Sequence, residues 1–228
     1  EYGELLMKNK RGSIVAIEPS TGEILCIVTS PSYDPALLVG RNRGKNYAIL
    51  EKDSINKPLF NRALMAQYPP GSTFKLVNAL IGQEEGVINK DTRFSCTMGF
   101  AYGNRVLGCH AHASPLAMVA SIQTSCNAYY CRVLKAILEN RKKYKSTKEA
   151  YDAWYQKIIS FGFGQKFNSD LPYELKGNIP TSAYYDRYYG ENRWKATTII
   201  SIAIGQGEIT VTPVQLANFV AIIANRGY

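Results

Sequence analysis

The chain lacks any run of about 18 apolar residues, so no helical membrane span is expected within it. No charged n-region followed by an apolar stretch opens it, so no signal peptide is expected either. It has no internal repeat and no low-complexity segment, which excludes solenoids and tails. No interleaving of aromatic and basic residues of the kind that holds nucleic acid is found. Histidine is scarce, with two residues, and the five cysteines are an odd number. An odd count excludes a fully paired disulfide framework within one chain.

What is present suits one large globular domain. Hydrophobic residues make up 46% of the 228, and the net charge is +9. Much of that charge lies in Arg141-Lys142-Lys143-Tyr144-Lys145 and Lys148, just before an amphipathic stretch. A basic balance suits acidic polymers, and the plainer reading is a solvated helix face.

Residues 13–18 and 23–30 alternate as two strands around Pro19-Ser20-Thr21-Gly22, the pattern of a β-hairpin. From about residue 36 helical spacing dominates. Ser114-Pro115 reads as a helix start with proline at its first position. Tyr130, Val133, Leu134 and Ile137 mark the inner side of a helix after Asn127. Ser146 and Glu149 form a capping box before Tyr151, Trp154, Ile158 and Ile159. Residues 162–195 read as long loops, and Thr212-Pro213 starts the last helix. The fold class expected is α+β.

The densest chemistry lies in Tyr68-Pro69-Pro70-Gly71-Ser72-Thr73-Phe74-Lys75. A Pro/Gly approach leads into a helix that places Ser72 and Lys75 on one face, at i and i+3. A partly buried, deprotonated lysine can take the serine proton and make the hydroxyl a nucleophile. Free N–H groups at the helix start can stabilise an oxyanion. The alternative for Ser72 is a helix cap. A second Ser-x-x-Lys, Ser54 to Lys57, is set aside because Lys57 precedes Pro58 and is pushed out of the α region. Ser125-Cys126-Asn127 lies in a polar break between apolar runs. Its hydroxyl can relay a proton and its carboxamide can hold a substrate amide, although Ser-x-Asn is equally a helix cap.

Pro70 to Lys75 followed by Ser125-Cys126-Asn127 resembles the first two motifs of the penicillin-binding proteins and serine β-lactamases. Arg11 to Pro19 with Thr21 to Leu25 resembles the opening hairpin of a class B transpeptidase domain. Ser32-Tyr33-Asp34-Pro35, Asn61-Arg62-Ala63, Phe161-Gly162-Phe163-Gly164, Ile204-Gly205-Gln206-Gly207 and Thr212 to Ala217 continue the likeness to the elongation-type class B penicillin-binding proteins. The resemblance implies a transpeptidase-like α+β fold over residues 1–228, with a hairpin over 1–35 and a mainly helical lobe over 36–228. It implies a D,D-transpeptidase acting on D-Ala-D-Ala stem peptides, with Ser72, Lys75, Ser125 and Asn127 as catalytic residues. It implies acylation by β-lactams, elongation proteins including a glycosyltransferase as partners, an upstream single-pass anchor, and the periplasmic face of the inner membrane. The rival functions are a serine β-lactamase or β-lactam sensor, and a non-catalytic partner of the elongation complex. The family's third motif, Lys-Thr-Gly or Lys-Ser-Gly, occurs nowhere in the sequence. Against the family, the chain is expected to lack the C-terminal strands, to be truncated before that motif and to have weak or no activity alone.

Cys96, Cys109, His110 and His112 cluster between Phe94 and Ala113, and Cys126 follows. Three thiolates and an imidazole make a closed tetrahedral zinc site. A Cys96–Cys109 disulfide and buried free thiols are the other readings. The resemblance places zinc ligands at Cys96, Cys109, His112 and Cys126, with a structural role. Cys26 and Cys131 read as small apolar residues.

Overall fold

The structure, a computed structural model, describes residues 1–227. Its helices and strands run α1 (Tyr2–Leu6), β1 (Gly12–Ile17), β2 (Ile24–Ser30), α2 (Arg43–Lys52), α3 (Arg62–Met65), α4 (Phe74–Glu84), β3 (Gly99–Tyr102), β4 (Arg105–Gly108), α5 (Met118–Gln123), α6 (Asn127–Leu138), α7 (Thr147–Ser160), α8 (Ser182–Tyr189) and α9 (Pro213–Ala224). Short 3-10 turns occupy Pro35–Leu38, Gly71–Thr73 and Ile200–Ile204. The chain divides into two compact units. One comprises residues 1–68, 165–177 and 211–228, and the other comprises residues 69–164 and 178–210.

In the first unit β1 and β2 pair antiparallel, from Gly12 opposite Ser30 to Ala16 opposite Cys26, with an irregularity at Ala16 and Ile17. The hairpin expected from the alternation is therefore present. Asn61 caps α3, its side-chain oxygen accepting from the Ala63 and Leu64 N–H groups. The buried Arg62 donates to the carbonyls of Pro31, Asn56, Lys57 and Phe60, so its charge is neutralised by backbone dipoles. α9 opens after Thr212 with proline at its first turn, as the sequence suggests, and the Thr212 N–H donates to Gln215 Oε1 at 3.0 Å. Gln215 is fully buried and donates to the carbonyls of Gln165 and Lys176.

The core of the second unit is built around α6. Tyr130, Val133, Leu134 and Ile137 are buried at the spacing of one helical face, and Tyr129 and Cys131 are buried beside them. Each fully buried aliphatic side chain contributes about 1.5–3 kcal/mol of transfer free energy. α6 packs on α4, α7 and the Ile200–Ile204 turn. Tyr151, Trp154 and Ile158 of α7 are buried, and Ser146 accepts from the Glu149 N–H at its start. Gly86 ends α4 in the left-handed region, as a helix-terminating glycine does.

Three local expectations change. Ser114-Pro115 does not open a helix, because Leu116 exchanges both backbone hydrogen bonds with Phe94 and holds this segment extended until α5 begins at Met118. Residues 162–195 are not all loop. α8 forms there because Tyr185 buries its ring against Tyr151 and Trp194. The β3–β4 hairpin, Gly99 opposite Gly108 to Tyr102 opposite Arg105, forms within the Phe94 to Ala113 segment, which reads from the sequence as loop with no strands.

Candidate functional site

Gly71 adopts a φ of 60°, which lets the chain turn sharply out of Pro69-Pro70. Thr73 Oγ1 donates to the Pro70 carbonyl at 2.7 Å and closes the turn. Gly71 N–H donates to the Gly205 carbonyl at 2.9 Å. Gly205 is itself left-handed, with φ 66°. A Cβ there would stand 2.8 Å from both Gly71 N and Phe74 Cβ, and closer still to the Gly71 carbonyl oxygen. The turn that carries Ser72 thus rests directly on backbone, with no side chain between.

Ser72 lies on the 3-10 turn rather than in α4, and it is exposed. Lys75 lies in the first turn of α4 and is only 2% exposed. Its Nζ is hydrogen-bonded with Ser125 O at 2.6 Å, Ser125 Oγ at 2.8 Å and Asn127 Oδ1 at 2.6 Å. All three Nζ positions face the Ser125–Asn127 segment, the neutral amine donating to two of these partners and accepting from the Ser125 hydroxyl, and no hydrogen bond joins Nζ to Ser72 Oγ among the described residues. The i,i+3 pairing expected from the sequence is therefore not made here. The lysine is instead captured by the second motif. Burial pulls the Lys75 pKa below its ordinary value, opposed by the thiols of Cys109, Cys126 and Cys131.

Ser125 reaches Lys75 because it takes a left-handed φ of 50° between α5 and α6. Cys126 is the N-cap of α6, its Sγ accepting from Tyr129 N–H at 3.3 Å. Asn127 is held at three points. Its Oδ1 faces Lys75, its Nδ2 donates to Gly108 O at 2.8 Å, and its N–H donates to Cys109 Sγ at 3.3 Å.

The sequence-derived metal ligands also converge. One donor atom each from Cys96, Cys109, His112 and Cys126 lies within 4.8 Å of every other. His112 Nε2 is 3.5 Å from Cys109 Sγ, while its Nδ1 is 2.7 Å from the Ala113 carbonyl. A carbonyl only accepts, so Nδ1 carries the proton and the Nε2 lone pair faces the sulfurs. His110 stays outside this group, its ring edge against that of His112. All five cysteines are unpaired, so the Cys96–Cys109 disulfide is not formed. Burial raises the Cys109 thiol, but the hydrogen bonds it receives, the Asn127 backbone N–H first and then the Ala128 N–H, outweigh it and bring the pKa to about 6. Burial, with the neighbouring sulfurs, drives Cys126 up to about 12.

Sequence reading missed two parts of this site. The Gly108 carbonyl that orients Asn127 depends on the β3–β4 hairpin, whose Gly103-Asn104 pair is a readable turn signal. Asn78, a fully buried amide in the apolar face of α4, carries a hydrogen-bond signal only its packing reveals.

Residues 12–228 match the family model described as penicillin binding protein transpeptidase domain. The chain is 37% identical over 226 residues to peptidoglycan D,D-transpeptidase MrdA of Acinetobacter baumannii, covering 97% of this chain and 31% of that protein. It therefore spans about a third of the length of such curated relatives. The crystal structure of Pseudomonas aeruginosa PBP2 in complex with WCK 5153 superposes with a TM-score of 0.85 at 32% identity, over 99% of this chain and 49% of that one. PBP2 of Helicobacter pylori in its complex with MreC gives a TM-score of 0.82 at 26% identity, over 98% and 40%. With the match running from the first strand to the last residue, this chain belongs to the penicillin-binding protein transpeptidase domain family.

Proposed function

We propose that this chain carries the nucleophile-bearing part of a peptidoglycan D,D-transpeptidase of the cell-wall elongation machinery. The observation that carries the reading is the buried Lys75 amine, held by Ser125 and Asn127 next to the Ser72 turn. Family membership supports the reaction class.

In this mechanism Ser72 Oγ attacks the carbonyl carbon of the penultimate D-Ala of a stem peptide. Its proton passes to neutral Lys75 as the C–O bond forms. The Ser72 N–H faces the developing oxyanion. The C–N bond then breaks, and Lys75 returns the proton through Ser125 Oγ to the departing D-Ala amine. An amine of a second stem attacks the acyl-enzyme, restores Ser72 and leaves the cross-link. A hydrogen bond from Ser72 Oγ to Lys75 Nζ, not made in the unliganded site, forms when substrate enters. Asn127 holds Lys75 in place and presents its amide to the substrate. β-Lactams acylate the same serine.

The four-residue cluster suits structural zinc. Tetrahedral zinc at about 2.3 Å from sulfur and about 2.0 Å from nitrogen sets its ligands roughly 3.5–3.8 Å apart. The Cys109–His112 pair stands at that spacing already. Cys96, Cys109, His112 and Cys126 would hold the ion, which would neutralise the thiolates and leave no position for water. Because Cys126 lies between Ser125 and Asn127, the same ligand set fixes both active-site side chains.

Likeness to the MrdA transpeptidases supports a place at the periplasmic face of the inner membrane, and no helix among the described residues is long and apolar enough to cross a membrane. The MreC complex of the Helicobacter pylori relative supports an elongation protein as partner, and a relative solved in a peptidoglycan synthase complex that coordinates polymerization and crosslinking supports a glycosyltransferase. The deciding experiment is fluorescent-penicillin labelling of the full-length protein. Ser72→Ala should abolish labelling and Ser54→Ala should leave it intact. The reverse pattern sinks the assignment, and rapid hydrolysis of the acyl-enzyme would make the protein a β-lactamase.

A further inference from the structure

Asn78 is completely buried in α4, one turn beyond Lys75, and it is used at both ends. Trp154 Nε1 of α7 donates to its Oδ1 at 2.9 Å. Its Nδ2 donates to the Ala203 carbonyl at 3.0 Å. The indole can only donate, and the Ala203 carbonyl can only accept. The amide therefore has one orientation, and Trp154 sets it. Ala203 sits in the Ile200–Ile204 turn, two residues before Gly205. Gly205 O accepts from Gly71 N–H at 2.9 Å, and Gly71 precedes Ser72. Phe74, between the turn and Lys75, is fully buried with its ring edge against Trp154 and Phe163.

We propose that Asn78 is a positioning residue: clamped by Trp154, it sets the height of the Ile200–Ile204 turn against α4, and through Gly205 it fixes where the Ser72 hydroxyl stands relative to Lys75. The inference rests on the reading of Ser72 as the nucleophile. A buried amide needs partners for its stability in any case. What sets this one apart is that its donor end grips the short segment against which the nucleophile's turn is pinned. The Gly71–Gly205 contact is backbone on backbone, so no side chain there can absorb a shift of the Ile200–Ile204 turn. A displacement of that turn passes directly to Ser72. Misplacement of a reacting group by about 1 Å costs up to about 100-fold in rate.

The test is stopped-flow acylation of the full-length protein by a fluorescent penicillin, with the binding constant and the acylation rate constant resolved. Asn78→Asp keeps the acceptor for Trp154 and sets a second oxygen against the Ala203 carbonyl. Trp154→Phe keeps an aromatic ring at this position, empties part of the indole volume and removes the donor that orients the amide. Tyr151→Phe is the control, since it removes an equally buried hydrogen bond, from Tyr151 OH to Pro180 O at 2.6 Å, and keeps the ring that stands 5.2 Å from the Trp154 ring. The acylation rate constant should fall about 10- to 100-fold in Asn78→Asp and by a smaller factor in Trp154→Phe. The binding constant should hold within about twofold, and Tyr151→Phe should lose thermal stability while acylating at the wild-type rate. If Asn78→Asp does not fold, Trp154→Phe decides the matter. Its indole-free amide should slow acylation, and an unchanged rate constant overturns the proposal. Slowing in Tyr151→Phe equal to that in the Asn78 and Trp154 variants overturns it as well, because stability alone would then explain the effect. A wild-type protein that penicillin does not label would instead remove the reading of Ser72, and the proposal with it.

Discussion

Lys75 Nζ and Asn127 Oδ1 lie 2.6 Å apart, and the opposite end of the same amide is tied to the Gly108 carbonyl at 2.8 Å. The lysine is therefore aimed by a group that cannot rotate without breaking a second hydrogen bond. The pairing is also neutral at the Asn127 end, which leaves burial free to favour the uncharged amine.

Asn127→Asp tests that neutrality. A carboxylate beside Nζ favours the ammonium and raises the Lys75 pKa. The active base is the uncharged amine, which is populated above that pKa. Acylation near neutral pH should fall about 10- to 1000-fold, and the rising limb of the pH–rate profile should move to higher pH. A profile that keeps its wild-type position would show that Lys75 is not the group that titrates.

Cys109→Ser tests the metal. Elemental analysis of the wild-type protein should find about one zinc per chain, as a four-ligand site requires. The variant should lose most of the zinc and melt at a lower temperature, because the binding energy of a structural site is partly folding energy. A metal-free wild-type protein whose mass shows a Cys96–Cys109 disulfide would overturn the zinc reading.

Glu85 carries a separate, pH-dependent share of stability. Its carboxylate is buried and accepts from Lys143 Nζ at 2.9 Å and from Tyr144 OH at 3.0 Å, with Lys157 Nζ 3.4 Å away. Burial works against ionisation, but the bonds from Lys143 and Tyr144 outweigh it and hold the pKa below the ordinary carboxylate value. A depressed carboxylate pKa stabilises the fold above the unfolded-state value. That contribution fades as pH falls from there through the folded-state value. Glu85→Gln should cost about 1.5–3 kcal/mol at pH 7, the usual worth of hydrogen bonds to a charged group. The difference from wild type should shrink in acid. Denaturant unfolding of both proteins at neutral and acid pH checks it, and a pH-independent difference would rule out the charge as its source.

Much of this site was legible because it is local. The Pro-Gly approach, Ser72, and the Ser125-Cys126-Asn127 break are each written in a few consecutive residues, and the structure brings both segments to Lys75. The convergence of Cys96, Cys109, His112 and Cys126 was legible as a cluster of residue types, although the selection of His112 over His110 came from the family likeness. What was not legible depends on packing across the sequence. Whether Lys75 turns to Ser72 or to Ser125 is decided by how α4 lies on α6, 50 residues apart in the chain. Tyr184, Tyr185, Tyr188 and Tyr189 hide α8, since aromatic residues carry little helix propensity and only Tyr185 is fully buried. Hairpin β3–β4 is short and begins and ends on glycine, which weakens its alternation.

Gly205→Ala probes the backbone contact beneath the nucleophile. At φ 66° an alanine costs about 1–2 kcal/mol for its conformation alone. Its methyl group would also enter the space held by Gly71 and Phe74 Cβ, the latter 2.8 Å away. Neither neighbour can yield as a flexible side chain would, because the Gly71 atoms are backbone and Phe74 is completely buried. The Gly71–Gly205 hydrogen bond should break and the Ser72 turn should lift. Acylation should fall about 100-fold or more, as for a reacting group misplaced by about 1 Å. Thermal stability should drop as well, so the decisive comparison is with Gly207→Ala. That glycine is also left-handed, and the close contact of a Cβ there is with Ser201 Oγ, a hydroxyl that can rotate away without moving the Ile200–Ile204 backbone. It should lose stability while retaining most of the acylation rate per folded molecule. Equal loss of acylation in both variants would show that the Ser72 turn does not depend on its contact with Gly205.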